Sequence, residues 1–215
     1  MAKIQPLPLP AAAAASPPSC SPSGDGQSLQ KQAEYTVWMK SLVFNGNGCT
    51  VYGADGGVAF RVDNYGCRGG REVFLMDRAG KTLIRIQRKG RLGLFRRWGA
   101  CRYSESDDGE ETTTPWFRVQ KQKADDGKNG AAVTMMHHGR GGSAAAYTIG
   151  WCAAGKLGYE VTGAGGAVAA AVERKRTPSG VVLGDDVLTL TVGAGTDHLL
   201  ALGLVVVCGL MKRCL

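Results

Sequence analysis

The chain has 215 residues, 44% of them hydrophobic, and carries a formal net charge of +8 with a pI near 9.2. That is enough apolar material for one sizeable core, and the surplus of cations points either to acidic partners, such as anionic lipid or nucleic acid, or to solubility alone. Seven cysteines (positions 20, 49, 67, 101, 152, 208 and 214) lie singly with no Cys-x-x-Cys pair, which argues against a secreted disulfide framework and a structural zinc site, and for a reducing compartment.

Residues 1–33 are Pro-, Ala- and Ser-rich, with Pro6, Pro8, Pro10, Pro17, Pro18 and Pro22 spread among small side chains. Such a segment cannot bury a core and is expected to be disordered, leaving 34–215 as a single folded domain. The Ala11–Ala15 run is too short for a signal peptide core, Ala2 excludes N-myristoylation, and Cys214 is misplaced for prenylation.

From Glu34 onward, strands and tight turns follow one another. Thr36–Lys40 and Cys49–Tyr52 flank Asn45-Gly46-Asn47-Gly48, and Asp55-Gly56-Gly57 links the second of them to Val58–Val62 as a hairpin. Glu72–Met76 and Thr82–Gln87 form another hairpin. Further strands are expected at Trp116–Gln122, Ala131–Met135, Ala145–Ile149, Gly158–Val161, Val168–Glu173 and Val181–Val192. Polar Ser104–Thr114 and Ala124–Gly130 read as loops. Alternation sets Val58, Phe60 and Val62 on one side with Arg61 opposite, and Ile84 and Ile86 on one side with Arg85 and Gln87 opposite.

The last element is different in kind. After Gly193-Ala194-Gly195, Thr196 and Asp197 offer helix caps, and the chain runs apolar from Leu199 to Met211 before Lys212-Arg213. Thirteen residues make about 20 Å of helix, short of a ~30 Å bilayer core. Leu199, Leu200, Leu202, Leu204, Val205, Val206, Val207 and Leu210 leave no polar face, so protein must enclose them. With strands nearly everywhere else, the expected enclosure is a curved sheet or barrel around one buried helix.

The chemistry-bearing motifs are incomplete. Gly150-Trp151-Cys152-Ala153-Ala154-Gly155-Lys156 imitates a phosphate-binding loop, but Leu157 replaces the Ser or Thr that would hold magnesium, and Gly158–Val161 reads as strand rather than helix. Gly163-Ala164-Gly165-Gly166 lacks the third glycine of a dinucleotide fingerprint, with Val168 in its place. His137 and His138 sit in a Gly-rich loop, and Asp197-His198 falls at the helix entrance, where capping suits it better than catalysis. No nucleophile is nominated by spacing, and no cofactor or metal is expected; a non-enzymatic protein is the reading.

One segment stands out by charge. Between Lys81 and Arg102 lie Arg85, Arg88, Lys89, Arg91, Arg96 and Arg97 with no acidic residue, interleaved with Leu92, Leu94, Phe95 and Trp98. This is either a pair of strands with solvated charges or an anion-binding face for a phospholipid headgroup. A nucleic acid, with Phe95 and Trp98 stacking on bases, is the alternative partner. Arg174-Lys175-Arg176 is a second basic cluster.

Tyr35-Thr36-Val37-Trp38-Met39-Lys40-Ser41-Leu42-Val43-Phe44, Phe60-Arg61-Val62-Asp63-Asn64-Tyr65 and Arg71-Glu72-Val73-Phe74-Leu75-Met76-Asp77 resemble the plant LURP-one-related proteins. The end of the chain does too, from Val187-Leu188-Thr189-Leu190 through Asp197-His198 to Leu204–Val207. The resemblance implies a tubby-like fold: a closed twelve-stranded antiparallel β-barrel around a hydrophobic C-terminal helix. It also implies a plant protein, with some members linked to defence; the unpaired cysteines in turn point to an intracellular location, cytoplasmic, plasma-membrane-associated or nuclear. Tubby proteins bind phosphoinositides through basic residues, although no shared motif carries those residues onto this chain. The Gly/Ala-rich stretch from Ala124 to Ala171 departs most from the family pattern.

Overall fold

A computed structural model describes residues 32–40, 48–63, 72–89, 97–105, 111–123, 129–136, 145–151 and 158–212. The N-terminal segment expected to be disordered lies outside them. Twelve strands and one helix follow in order: β1 (Ala33–Trp38), β2 (Gly48–Tyr52), β3 (Val58–Asp63), β4 (Glu72–Asp77), β5 (Thr82–Lys89), β6 (Arg97–Glu105), β7 (Glu111–Lys123), β8 (Asn129–Met135), β9 (Ala145–Trp151), β10 (Tyr159–Gly163), β11 (Val168–Arg174), β12 (Val187–Val192) and α1 (His198–Lys212).

Each strand pairs antiparallel with its sequence neighbours, and β1 also pairs with β12, so the sheet closes on itself. Closure abolishes the unpaired edges that an open sheet would expose to other chains. The seam is tightly registered, with Tyr35 opposite Leu190 and Val37 opposite Leu188. Alternation does the rest: Val37, Val62, Leu75, Ile84, Ile86 and Leu190 are fully buried, while the residues between them face outward.

The helix fills the barrel. Leu200 to Leu210 are all buried, including Leu202, Leu204, Val205, Val206 and Val207, whereas Leu199 at the entrance is half-buried rather than interior. Asp197 caps the first turn, its Oδ1 accepting from the backbone N–H of Leu199 (2.8 Å) and Leu200 (3.3 Å). At the far end Lys212 lies over the rings of Trp151 (4.6 Å) and Tyr159 (5.7 Å). Gly203 matters for closeness: a Cβ there would stand 3.0 Å from the Phe117 ring and 3.4 Å from Ile84, so the missing side chain lets the helix meet the bulky wall of the barrel. Among the described residues no helix is long and apolar enough to cross a membrane.

Four expectations change, the first being that Asn129 and Gly130, expected in the loop Ala124–Gly130, already belong to β8 and pair with Lys123 and Gln122. The stretch Ser104–Thr114 is not all loop: β6 runs to Glu105 and β7 starts at Glu111, with Ser104 and Thr112 hydroxyls 2.8 Å apart across the pair. Threonines suit a pleated surface well enough to extend the strands. Val181–Val192 is not one strand: only Val187–Val192 belongs to the barrel, because Gly184-Asp185-Asp186 turns the chain. Asp186 anchors that turn, its carbonyl accepting from Met39 N–H (2.7 Å) and its carboxylate from Trp38 Nε1 (3.1 Å) and Lys40 Nζ (2.9 Å). These bonds, Lys40 first and Trp38 second, hold the Asp186 carboxyl below its ordinary pKa. Thr36–Lys40 likewise ends as strand at Trp38.

The two glycine-rich decoys resolve as hairpin parts. Gly150 and Trp151 finish β9 and Tyr159 opens β10 in register with Trp151, while Lys156 lies outside the described residues. Gly163–Gly166 is the β10–β11 turn, closed by Gly166 N–H to Gly163 O at 2.9 Å, with Gly166 at φ 78°.

Candidate functional site

Topology decides where the charges gather. In a closed antiparallel barrel the odd-numbered strands all finish at one end, and α1, which starts beyond the end of β12, runs inside toward that same end. β5, β7 and β11 therefore deliver their C-terminal residues to the mouth where the helix stops, and β6 starts there.

Of the expected anion-binding residues, Arg88 and Lys89 end β5 and Arg97 begins β6, all exposed and all at this mouth. Lys89 stands opposite Arg97, and Arg88 opposite Trp98. The alternation that turns Ile84 and Ile86 inward also places Arg88 on the interior-facing side, at the lip of the barrel. The same rule applied to β7, where Phe117 and Val119 are buried, puts exposed Lys121 on the lip opposite buried Ala131. Lys121 was missed from sequence because it lies far along the chain from the cluster; its alternation with Phe117 and Val119 is the signal that could have found it. Arg91 and Arg96 lie outside the described residues.

Arg85 is differently employed. Its Nε donates to Glu72 Oε1 of β4, which also accepts from Gln87 Nε2 at 2.6 Å. The cluster therefore has a counter-charge after all, supplied by a neighbouring strand. Burial works to raise the Glu72 pKa, but the hydrogen bonds from Arg85 and Gln87 and the charges of Arg85 and Lys89 hold it below the ordinary carboxylate value. At the same mouth Lys40 pairs with Asp186 and Arg174 with Asp185, while Arg176 is exposed.

Trp98 is 4% exposed and packs in the core, so it is not open to stack on a base; Phe95 lies outside the described residues. Its indole Nε1 is buried without a hydrogen-bond partner. His198 does not cap: its Nδ1 lies 2.8 Å from the Tyr35 hydroxyl, whose pKa burial raises. His137 and His138 are outside the described residues. Burial pushes the Cys208 thiol up to about 12, which leaves it protonated and unreactive near neutrality. A half-open groove of 530 Å³ lies elsewhere, between the β2–β3 turn and Lys175, crossed by a 3.8 Å pair of Lys175 with Glu34. None of the four described anion contacts (Arg85, Arg88, Lys89 and Arg97) lines it. Among the described residues no three His, Cys, Asp or Glu side chains gather as a metal site.

The comparisons with known proteins fit this architecture. A family model described as LURP-one-related matches residues 33–209. Protein LURP-one-related 11 of Arabidopsis thaliana is 34% identical over 195 residues, covering 87% of this chain and 84% of that protein. LURP-one-related 4 from the same plant is 33% identical over 83% of this chain and 78% of its own length. An X-ray structure of an Arabidopsis thaliana protein superposes with a TM-score of 0.57 over 86% of this chain and 94% of that one; at 15% identity it speaks for the fold alone. A barrel of twelve strands closed on a C-terminal helix, matched by this family's model across nearly all of its length, makes the chain a member of the LURP-one-related family.

Proposed function

We propose that this protein is a non-catalytic binding or scaffold protein that docks the helix-C-terminal mouth of its barrel on anionic phospholipid, phosphoinositide above all, in plant defence or stress signalling. The observation that carries the reading is the gathering of exposed Arg88, Lys89, Arg97 and Lys121 on one lip, from strands that only the barrel brings together. At about 1 kcal/mol per cation near an anionic surface, four of them supply only millimolar-range adhesion. A headgroup held between Arg88 and Lys121, with charge-assisted hydrogen bonds, adds the rest. The second reading, a nucleic-acid-associated regulator using the same cations, loses one of its two stacking side chains with Trp98 buried.

Co-sedimentation of the full chain with vesicles containing or lacking phosphoinositide tests this, beside a variant carrying Gln at 88, 89, 97 and 121. Selective binding that disappears in the variant and weakens with salt is the expected result. Binding that survives the four substitutions, or none by a folded protein, sinks the proposal; preference for DNA over vesicles transfers the site to the second reading.

A further inference from the structure

The connection from β11 to β12 is a small projecting finger. Lys175 N–H donates to Val187 O (3.0 Å), Leu183 N–H to Lys175 O (2.9 Å), Thr177 N–H to Val181 O (2.8 Å) and Gly180 N–H to Thr177 O (2.8 Å), with Arg176 and Val182 bridged between the arms. Its tip is Thr177-Pro178-Ser179-Gly180, with Gly180 at φ 83°. Val181 is 60% exposed and Val182 38%, so the finger buries little and can open without disturbing the core.

The two hydroxyls at the tip are not equivalent. Thr177 is half-buried and tied in: its Oγ1 accepts from Val181 N–H at 3.1 Å, and Pro178 follows it. Ser179 is exposed, and its Oγ touches only the Thr177 hydroxyl, at 2.8 Å. Upstream of Ser179, Arg176 lies three residues before it and Arg174 five. Arg176 is exposed, and among the described residues it has no salt bridge, so its guanidinium is open to a carboxylate from outside. Exposure, a peelable segment and Arg176 at this spacing suit an enzyme whose substrate groove carries carboxylates, because Arg binds carboxylates bidentately; Arg174, half-buried and paired with Asp185, joins only once that pair gives way to the groove's carboxylates.

We propose that Ser179 is a phosphoacceptor for a basophilic serine/threonine protein kinase that reads Arg176 and Arg174. In the transfer, Ser179 Oγ bonds to the γ-phosphorus of ATP as the bond to the β,γ-bridging oxygen breaks. ADP departs and the hydroxyl proton passes to the kinase's catalytic carboxylate. The product sets a charge of about −1.5 to −2 on a finger that otherwise presents Arg176.

The test incubates the full chain with Mg·ATP and a kinase that demands arginine three and five residues before its acceptor, with phosphopeptides read by mass spectrometry. One phosphate on Ser179 is expected, abolished by Ser179→Ala and slowed about tenfold by Arg176→Ala, which removes one charge-assisted contact. Both substitutions are on exposed residues, and circular dichroism confirms the fold of each variant. Phosphate on Thr177, or on Ser143, which has Arg140 three residues before it, overturns the proposal. So does an unchanged rate in Arg176→Ala, or no uptake by the folded chain. The readout needs no vesicle, so its outcome is independent of the docking reading.

Discussion

The two mouths of the barrel spend their charges in opposite ways. Where the helix enters, acidic side chains are turned inward on the chain itself: Asp55 accepts from Gly57 N–H, Asp77 from Lys81 N–H, and Asp197 caps α1 while facing Arg102 at 3.6 Å. Arg102 in turn lies over Trp116, 4.9 Å from the ring centroid. Where the helix leaves, Glu72, Asp185 and Asp186 are each matched by one cation, and Arg88, Lys89, Lys121 and Arg176 stand exposed in addition. Among the described residues, one mouth uses polarity to fix turns and a cap, and the other presents exposed cations beyond those in ion pairs. Exposed cations that add little to the fold are free to serve a binding surface, and neutralising them should cost the structure little.

That contrast can be tested by substitution. The largest effect comes from striking the element both mouths share. Leu204→Asp places an unpaired charge on a side chain 1% exposed, at a cost of several kcal/mol comparable to the whole stability of the domain. The cooperative thermal transition should vanish; a variant that melts normally would mean that the helix is not enclosed. At the entrance, Asp197→Ala removes a cap and should cost about 1 kcal/mol in denaturant titration, with vesicle binding unchanged. At the exit, the four-glutamine variant should lose vesicle binding while its stability stays within about 0.5 kcal/mol.

The smallest effect is a pH dependence. Glu72 has a lowered pKa in the folded state, so its stabilising contribution is fully present above the ordinary carboxylate value of about 4.3 and is lost as pH falls through the lower folded value. Glu72→Gln should remove that contribution at neutral pH and flatten the acid limb below about pH 4.3, so that the two stability curves converge as pH falls. An identical acid limb in both proteins would show that the Arg85–Glu72 pair does not form in solution.

What could be read from the chain follows the range of the interactions. The helix was legible because Leu200–Leu210 is apolar on every face, with Asp197 before it and Lys212 at its end, all signals within one short window. The hairpins were legible from Asp55-Gly56-Gly57 and the alternation of Ile84 and Ile86. The finger was not: Val181-Val182 reads as strand, and only the contacts of Asp186 with Trp38, Met39 and Lys40, far away in sequence, show why the chain turns there. The site was half legible. Arg88, Lys89 and Arg97 are neighbours in sequence, but Lys121 joins them through the barrel, and Glu72 neutralises Arg85 from thirteen residues upstream.

The seam between β1 and β12 also sets an order of events during synthesis. Ala33 meets Val192, and the side chains that fill the interior come after both. A ribosome must release the chain through Val192 before the ring can shut, and the strands made first wait longest with their apolar faces uncovered. Such distant pairings are slow to form, and waiting strands are prone to aggregate. For this protein, the hazardous interval lies in the making, and chaperone supply should govern its yield more than any weakness of the finished barrel.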